Sequence, residues 1–271
     1  MEQPSRSQQS ENLIWIAKTF KFDRKKIGDV DLSHAVLPEW RVYETVFENC
    51  IFDHSKMSSF RAYSARFVGC GFRFSALKDA ALGAASTDRN SGGDFEDCDF
   101  SGADLRGVRT DPGRFVRCNF QETKWKGTRF LSTVLEYCDF RKATVESCFF
   151  DGRKFVNNAP AGVGQNRLTG CDFSTTALDD TSFLAIDFRN CVPPAGDDFV
   201  LIDHYPRMVE DALSYLKESQ GKDASIAAAV LGAEVQSSKF LPHDAVGLLQ
   251  LSHYPGGSRV LVANAFGIGK T

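Results

Sequence analysis

Asp94-Phe95-Glu96-Asp97-Cys98-Asp99-Phe100-Ser101-Gly102-Ala103-Asp104-Leu105-Arg106-Gly107 opens the stretch whose reading decides the fold. Taken in fives from Phe95, it runs Phe95, Phe100, Leu105, Thr110, Phe115, Phe120, Trp125, Phe130, Leu135, Phe140, Val145, Phe150, Phe155. All but Thr110 are large and apolar. The residues two places earlier, from Gly93, Cys98 and Ala103 to Ala143 and Cys148, are small except for Val108 and, at the end, Arg153. A period of five fits neither the 3.6 of a helix nor the 2.0 of a flat strand, and a fixed period of this kind marks a repeat architecture.

Residues two apart on an extended segment point to the same side, so each large–small pair faces inward together. The remaining residues, such as Asp99, Ser101 and Gly102, are polar and turn-prone and make a corner. Four such units close a square coil of about twenty residues. The cysteines carry that longer period: Cys98, Cys118 and Cys138 are twenty apart, as are Cys50 and Cys70, and Cys171 and Cys191. Residues one coil apart then stack at roughly 4.8 Å, the spacing of paired strands. Phe100, Phe120, Phe140, Cys98, Cys118 and Cys138 are the expected core of this stack.

Ala103-Asp104-Leu105-Arg106-Gly107 matches in full the motif of a small residue, Asp or Asn, Leu or Phe, then two polar residues. The fives beginning at Cys98, Cys118 and Cys171 match it closely. In these residues the chain resembles the pentapeptide-repeat family, over about 160 of its 271 residues. The resemblance implies an all-β solenoid, a right-handed quadrilateral β-helix. It also implies one functional expectation, because some members mimic duplex DNA and protect DNA gyrase from quinolones or related poisons, and such members carry interrupting loops.

Outward from the central stretch, residues 1–12 read as a polar, disordered tail and 13–30 as an N-terminal cap partly merged into the first coil. The β-helix spans 31–192. Its first block runs from Leu32 to Leu82, with Phe60 and Ala62 exchanging large and small positions, and Trp40 with Val42 doing so in part. Two loops interrupt it, near 83–94 and 156–167. At the first, an eight-residue insertion returns the Cys50–Cys70 column to Cys98. At the second, three extra residues would align Cys148 with Cys171, and eight remains the other choice. A third block runs from Leu168 to about Cys191.

Beyond Pro193-Pro194 the period is gone, and 195–271 reads as a small, mainly helical C-terminal domain. Pro206 suits the first position of a helix, with Asp203 as its cap and Met208, Val209, Ala212, Leu213 and Leu216 as its apolar stripe. Asp223 caps a second helix from Ala224 to about Gln236. A third covers Ala245 to Leu251, and Ser258 to Ala263 reads as a short strand.

Composition restricts the function. The chain is 42% hydrophobic with a formal net charge of −3, and no apolar run approaches the ~20 residues of a membrane span. No secretory signal is legible, since Leu13–Ile16 is short and follows Glu11. All eight cysteines sit at small inward positions, and buried thiols fit a reducing cytoplasm. No cysteine or histidine shows metal-ligand spacing, so neither metal nor cofactor is expected. Gly267-Ile-Gly-Lys-Thr271 resembles the end of a phosphate-binding loop, but Asn264 stands where its first glycine belongs. No nucleophile, base and orienting group can be assembled, which argues against an enzyme.

What remains is surface. Stacking in twenties collects Arg106, Arg109, Lys124, Lys126 and Arg129 on one edge, and Asp94, Glu96, Asp97 and Asp99 on another. With the first loop, Ser86, Asp88, Arg89 and Asn90, the basic edge is the candidate surface for an unidentified protein partner. The expected function is a non-enzymatic protein-binding module, an inhibitor or immunity protein, without direct nucleic-acid or membrane binding; self-association through 195–271 would give a homodimer. The alternative is the DNA-mimicking gyrase-protection protein of the resemblance. A duplex carries one charge per ~1.7 Å, so a ~35 Å rod would want on the order of twenty uncompensated acids. The repeat region, with 20 basic and 22 acidic side chains, is nearly neutral.

Overall fold

In the computed structural model, which describes residues 22–85, 92–156, 159–163 and 167–268, the large residue of a five typically centres a three-residue strand whose flanking side chains face outward. Such strands are too short to stand alone, and each is held by the coil above and the coil below. Four parallel ladders result. The first face is a sheet of seven strands, from Lys26–Gly28 to Arg167–Thr169. The second is a run of single bridges from Asp31 through Ile51, Gly71, Asp99, Asn119, Asp139 and Asp172 to Val192. Bridges from Val36 to Lys124 make the third, which continues as Thr144–Glu146 and Ala177–Asp179. The fourth passes from Phe22–Asp23 through Arg41–Tyr43 and Arg61–Tyr63 to Ala81 and Arg109, and resumes as Arg129–Leu131, Phe149–Asp151 and Ser182–Leu184. The fold is a four-sided β-solenoid.

The core is a set of aromatic columns. Phe47, Phe67, Phe95 and Phe115 stack face to face at 4.8, 4.8 and 4.9 Å. Phe52, Phe72, Phe100, Phe120, Phe140 and Phe173 form a second column at 4.7–5.2 Å. The two columns meet edge to face, as at Phe95 and Phe100 (5.7 Å, 61°), so offset stacking and T-shaped contact are combined. The exchanged pair is accommodated by the same stacking: Trp40 lies on Phe60 at 5.4 Å, with Val42 and Ala62 buried beside them. Thr110, the polar misfit, is fully buried and its hydroxyl bonds that of Thr133 at 2.9 Å.

Seven cysteines stand in one column, Cys50, Cys70, Cys98, Cys118, Cys138, Cys171 and Cys191, all buried and reduced. Each of the first six donates its S–H to a carbonyl one coil back, from Ile27 under Cys50 to Leu135 under Cys171. Burial pushes the Cys98 and Cys118 thiols well above their usual range. Cys148 stands in a different column, where its N–H reaches the hydroxyl of Thr181.

Each corner turns on a residue two places after the large one, and that residue is commonly left-handed: His34, Glu39, Asn49, His54 and Ser59 have φ of 54–61°. Asn, Asp, Ser and Gly tolerate this region, and the coil-to-coil hydrogen bonds offset the strain elsewhere. Tyr137, at φ 55°, and Phe74 are the two aromatic exceptions, and Phe74 stands at φ 54° and 55% exposed. Its ring stacks on His54 and lies over Gly102, where an added Cβ would stand 2.4 Å from it.

Several expectations change. Residues 22–30, given to a cap, are ladder-forming: Phe22 pairs with Val42 and Ile27 with Phe47. Residues 1–21 lie outside the described residues. Phe67 pairs with Phe95, twenty-eight residues on, which is the eight-residue insertion. Leu135 pairs with Leu168 and Val145 with Leu178, thirty-three residues on, so the second insertion is thirteen residues rather than three or eight. Phe155 keeps the period of five but belongs to a hairpin, Arg153–Val156 against Ala159–Val163, that leaves the coil.

After the last coil, Phe199–Ile202 pairs antiparallel with Gly247–Gln250. Three helices, α1 (Tyr205–Glu218), α2 (Lys222–Ser238) and α3 (Gly257–Ala265), pack around Val209, Ala212, Leu216, Ala227, Leu231 and Val262. The N-cap of α1 is His204, not Asp203, and that of α2 is Gly221, leaving Asp223 in the first turn. The expected helix at 245–251 is a strand followed by a 3-10 turn, Leu251–His253, because its backbone completes the pairing with 199–202. The expected strand at 258–263 is α3, which buries Ser258 and Val262 and leaves Val260 outside. The domain is fastened to the solenoid: Phe188 N–H donates to Val246 O at 2.8 Å, Val246 N–H to Asp187 Oδ1 at 3.1 Å, and Arg189 pairs with Asp187 and Asp244.

Candidate functional site

Both insertions leave the solenoid at the same corner, between the fourth and first faces. One follows Leu82 on the fourth face and precedes Phe95 on the first; the other follows Phe150 and precedes Leu168. Two coils pass this corner between them, and the first carries a cis peptide there, Asp111–Pro112. The base of the first loop is closed by backbone: Gly83 N–H donates to Arg109 O at 3.2 Å and Gly92 N–H to Pro112 O at 3.3 Å. A Cβ on Gly83 would stand 1.9 Å from Thr110 O, so only glycine allows this approach. The hairpin is pinned at its root, where buried Asp151 accepts the N–H and guanidinium of Arg153 at 3.0 and 2.6 Å. Ser86, Asp88, Arg89 and Asn90 lie outside the described residues, as do the last three residues of the Gly267–Thr271 stretch.

The two charged edges are less uniform than the sequence suggests. Asp94 pairs with Arg66 and Arg114; Glu96 pairs with Arg66 and Arg117 at 2.7 Å each; Asp97 pairs with Arg117 at 2.7 Å. Arg117 and Arg66 hold Glu96 below the usual carboxylate range, and Arg117 does the same for Asp97. The Asp99 carboxylate accepts the N–H of Ser101 at 2.9 Å. On the basic side, Arg106 pairs with Asp104 at 2.5 Å and Lys126 with Glu146, both on the third face with Lys124. Arg109 and Arg129 lie around the corner on the fourth face, Arg129 with its guanidinium 5.9 Å from the Phe149 ring centre. The expected basic edge is therefore two surfaces, of which one is largely self-neutralised.

Eight tandem copies of the family unit described as pentapeptide repeats match residues 114–152. The chain carries pentapeptide repeats. Solved structures similar to this chain include HetL, involved in heterocyst differentiation regulation in the cyanobacterium Nostoc sp. strain PCC 7120. The two share 14% identity over 70% of this chain and 98% of HetL, with a TM-score of 0.26. Full-length QnrB1, a plasmid-mediated fluoroquinolone resistance protein, is 16% identical over 66% of this chain and 85% of its own, with a TM-score of 0.23. Rfr23 from the cyanobacterium Cyanothece 51142 is 12% identical over 68% and 98%, with a TM-score of 0.21. The comparison with curated proteins finds no match. Likeness at this level says nothing of activity.

One further cluster lies where the C-terminal domain of this protein meets its last coil. Tyr205 Oη donates to the partly buried Glu234 carboxylate at 3.2 Å, with Tyr254, His253, Gln250 and Phe183 around them. Burial pushes the Glu234 carboxyl up to about 7, against the opposing hydrogen bond from Tyr205. The same burial raises both phenols and lowers His253. The hollow among them, about 10 Å³, has room for one water and no substrate. Among the described residues no group of three or more His, Cys, Asp or Glu is placed to hold a metal ion, and no helix is long and apolar enough to cross a membrane.

Proposed function

We propose that this protein is a non-enzymatic protein-binding module, an inhibitor or immunity protein whose partner is recognised at the corner between the fourth and first faces. The observation that carries this reading is the exit of both insertions at one corner. Two segments leaving one corner of a rigid rod three coil steps apart, about 14 Å at ~4.8 Å per coil, lie within reach of one partner, and recognition concentrates on such loops because the scaffold has already lost its conformational freedom. The alternative of a DNA-mimicking gyrase-protection protein draws less support. Its acidic edge is neutralised by Arg66, Arg114 and Arg117, so the field a duplex presents is lacking there.

Photo-crosslinking in the native host tests the reading. A crosslinker at Ala85 or Asp111, both exposed at the corner, is expected to trap one discrete protein species. The same probe at His54 or Lys56, exposed elsewhere on the rod, is the control. Trapping of the same species with equal yield from all four positions, or from the controls alone, sinks the corner as the recognition site.

A further inference from the structure

Among the described residues, four arginines of the solenoid pair with no carboxylate, and all four fall in one column. Arg41 pairs in register with Arg61, Arg61 with Ala81, and Ala81 with Arg109. Arg129 continues the column one coil on, since the coils on either side of it keep step, Asp104 with Lys124 and Arg114 with Val134. Every other solenoid arginine whose side chain is described is in an ion pair. Within the column, Arg61 donates to the Asp79 backbone carbonyl at 2.9 Å and Arg129 lies over Phe149; neither contact neutralises a guanidinium. The fourth face is thus the side of the rod where the guanidiniums without an ion pair gather.

Ala81 interrupts the column and makes a notch in it. A hollow of about 240 Å³ opens there, lined by Arg61, Tyr63, Ala81, Ala84, Arg109 and Asp111. The two guanidiniums stand two coils apart, roughly 10 Å at ~4.8 Å per coil, and so flank the notch from below and above. A planar fork on each side suits a carboxylate entering between them, because arginine grips carboxylates in a bidentate manner. Tyr63, stacked on Tyr43 at 4.6 Å, supplies a flat wall. Asp111 stands at the lip with a charge of the wrong sign for an anion.

We propose that this column is a docking strip for an acidic, extended segment of a protein partner, with one carboxylate seated between Arg61 and Arg109 over Ala81. The strip covers four coil steps, about 19 Å, the length of roughly six extended residues at ~3.4 Å each. Such a segment turns about three side chains toward the rod, which four arginines can match. A nucleic-acid duplex of that length brings about eleven charges at one per ~1.7 Å. Four arginines fall far short of that number, and the acids of the other faces repel the rest. The proposal rests on the protein-binding reading but uses a face, not the loops, and names the chemistry of what lies on it.

Fluorescence anisotropy with a fluorescein-labelled hexaglutamate tests it, with hexaglutamine and a single-stranded oligo-dT of equal label as the other probes, at low and at physiological salt. Hexaglutamate is expected to bind, weaken with salt, and lose more than tenfold in affinity with Arg109→Gln. Ala81→Glu, which seats the chain's own carboxylate in the notch, should abolish binding while circular dichroism stays unchanged. Asp111→Asn should tighten binding two- to threefold, and Arg117→Gln, whose arginine is already paired, should change it less than twofold. Equal losses from Arg117→Gln and Arg109→Gln, tighter binding of oligo-dT, or no hexaglutamate binding would each overturn the docking strip. Hexaglutamate bound at the strip while the corner crosslinkers trap nothing would instead sink only the loop reading.

Discussion

In the solenoid a residue's direction is decided three times: by its place in the five, by the coil below and by the coil above. In the C-terminal domain Gly247–Gln250 has a single strand partner, Phe199–Ile202, some fifty residues away, and nothing in its own composition announces it. The first region repeats one local rule until it cannot be misread. The second depends on one non-local pairing, and its six- and seven-residue apolar segments fit helix and strand equally well. Repetition, then, gives the solenoid both its legibility and its rigidity, and the two regions should fail differently.

The largest effect comes from breaking the aromatic column. Phe120→Ala should destabilise by about 3–5 kcal/mol, because its ring is fully buried between Phe100 and Phe140 and the coils cannot collapse into the gap. Since each coil is stable only against its neighbours, the loss should appear as an earlier melt of the β signal. The helical signal at 222 nm surviving that melt would sharpen the contrast between the two cores; an unchanged β transition would break it.

A middle-sized effect should come from Glu234, at the seam between the regions. Its folded carboxyl titrates near 7, against 4.5 for the ordinary group. Below pH 4.5 both states hold the proton and the folded protein carries no penalty. Between about 4.5 and 7 the unfolded chain ionises first, so stability falls as pH rises, and it levels off above 7. The total loss should be at most about 3.5 kcal/mol, since each tenfold difference in proton affinity between the two states is worth ~1.4 kcal/mol. Glu234→Gln should remove this slope in denaturant titrations at pH 5, 6 and 8. A slope that persists in the variant assigns it to another group, and not to His253, whose burial lowers its pKa and gives a slope of the opposite sign.

The smallest effect concerns a corner. Phe74→Gly should stabilise by about 0.5–1 kcal/mol, since glycine takes a φ of 54° without strain and little packing is lost from an exposed ring. A lower melting temperature would mean that stacking on His54 outweighs the backbone strain.

The limits of legibility follow the same division. The coil register, the inward phenylalanines and the eight-residue insertion are readable because Cys98 resumes the column of Cys50 and Cys70. The second insertion misleads because Phe155 continues the period into the hairpin and Cys148 imitates a column it does not occupy; the true partner of Cys171 is Cys138. Charge is harder. The basic and acidic edges are visible as spacings, but Arg66, Arg114 and Arg117 cancel the acids only once side chains are placed. Arg41 and Arg61 escape a reading centred on the middle block because they lie in the first, although their separation of twenty equals that of Arg109 and Arg129. The helix at 257–265 reads as a strand because Val260 and Val262 alternate over too short a span to decide.

The single file of thiols makes the rod a gauge of its own unravelling. Each S–H from Cys50 to Cys171 is engaged by a carbonyl one coil back, so peeling a coil away uncovers a particular sulfur and leaves the rest sealed. Fraying from the C-terminal side would uncover Cys191 first, then Cys171; fraying from the other side would begin at Cys50. A brief pulse of alkylating agent would therefore leave a positional imprint, heaviest at the end that opened and fading toward Cys118. A molecule that has once been pulled open and closed again keeps that imprint as a chemical memory of which end gave way.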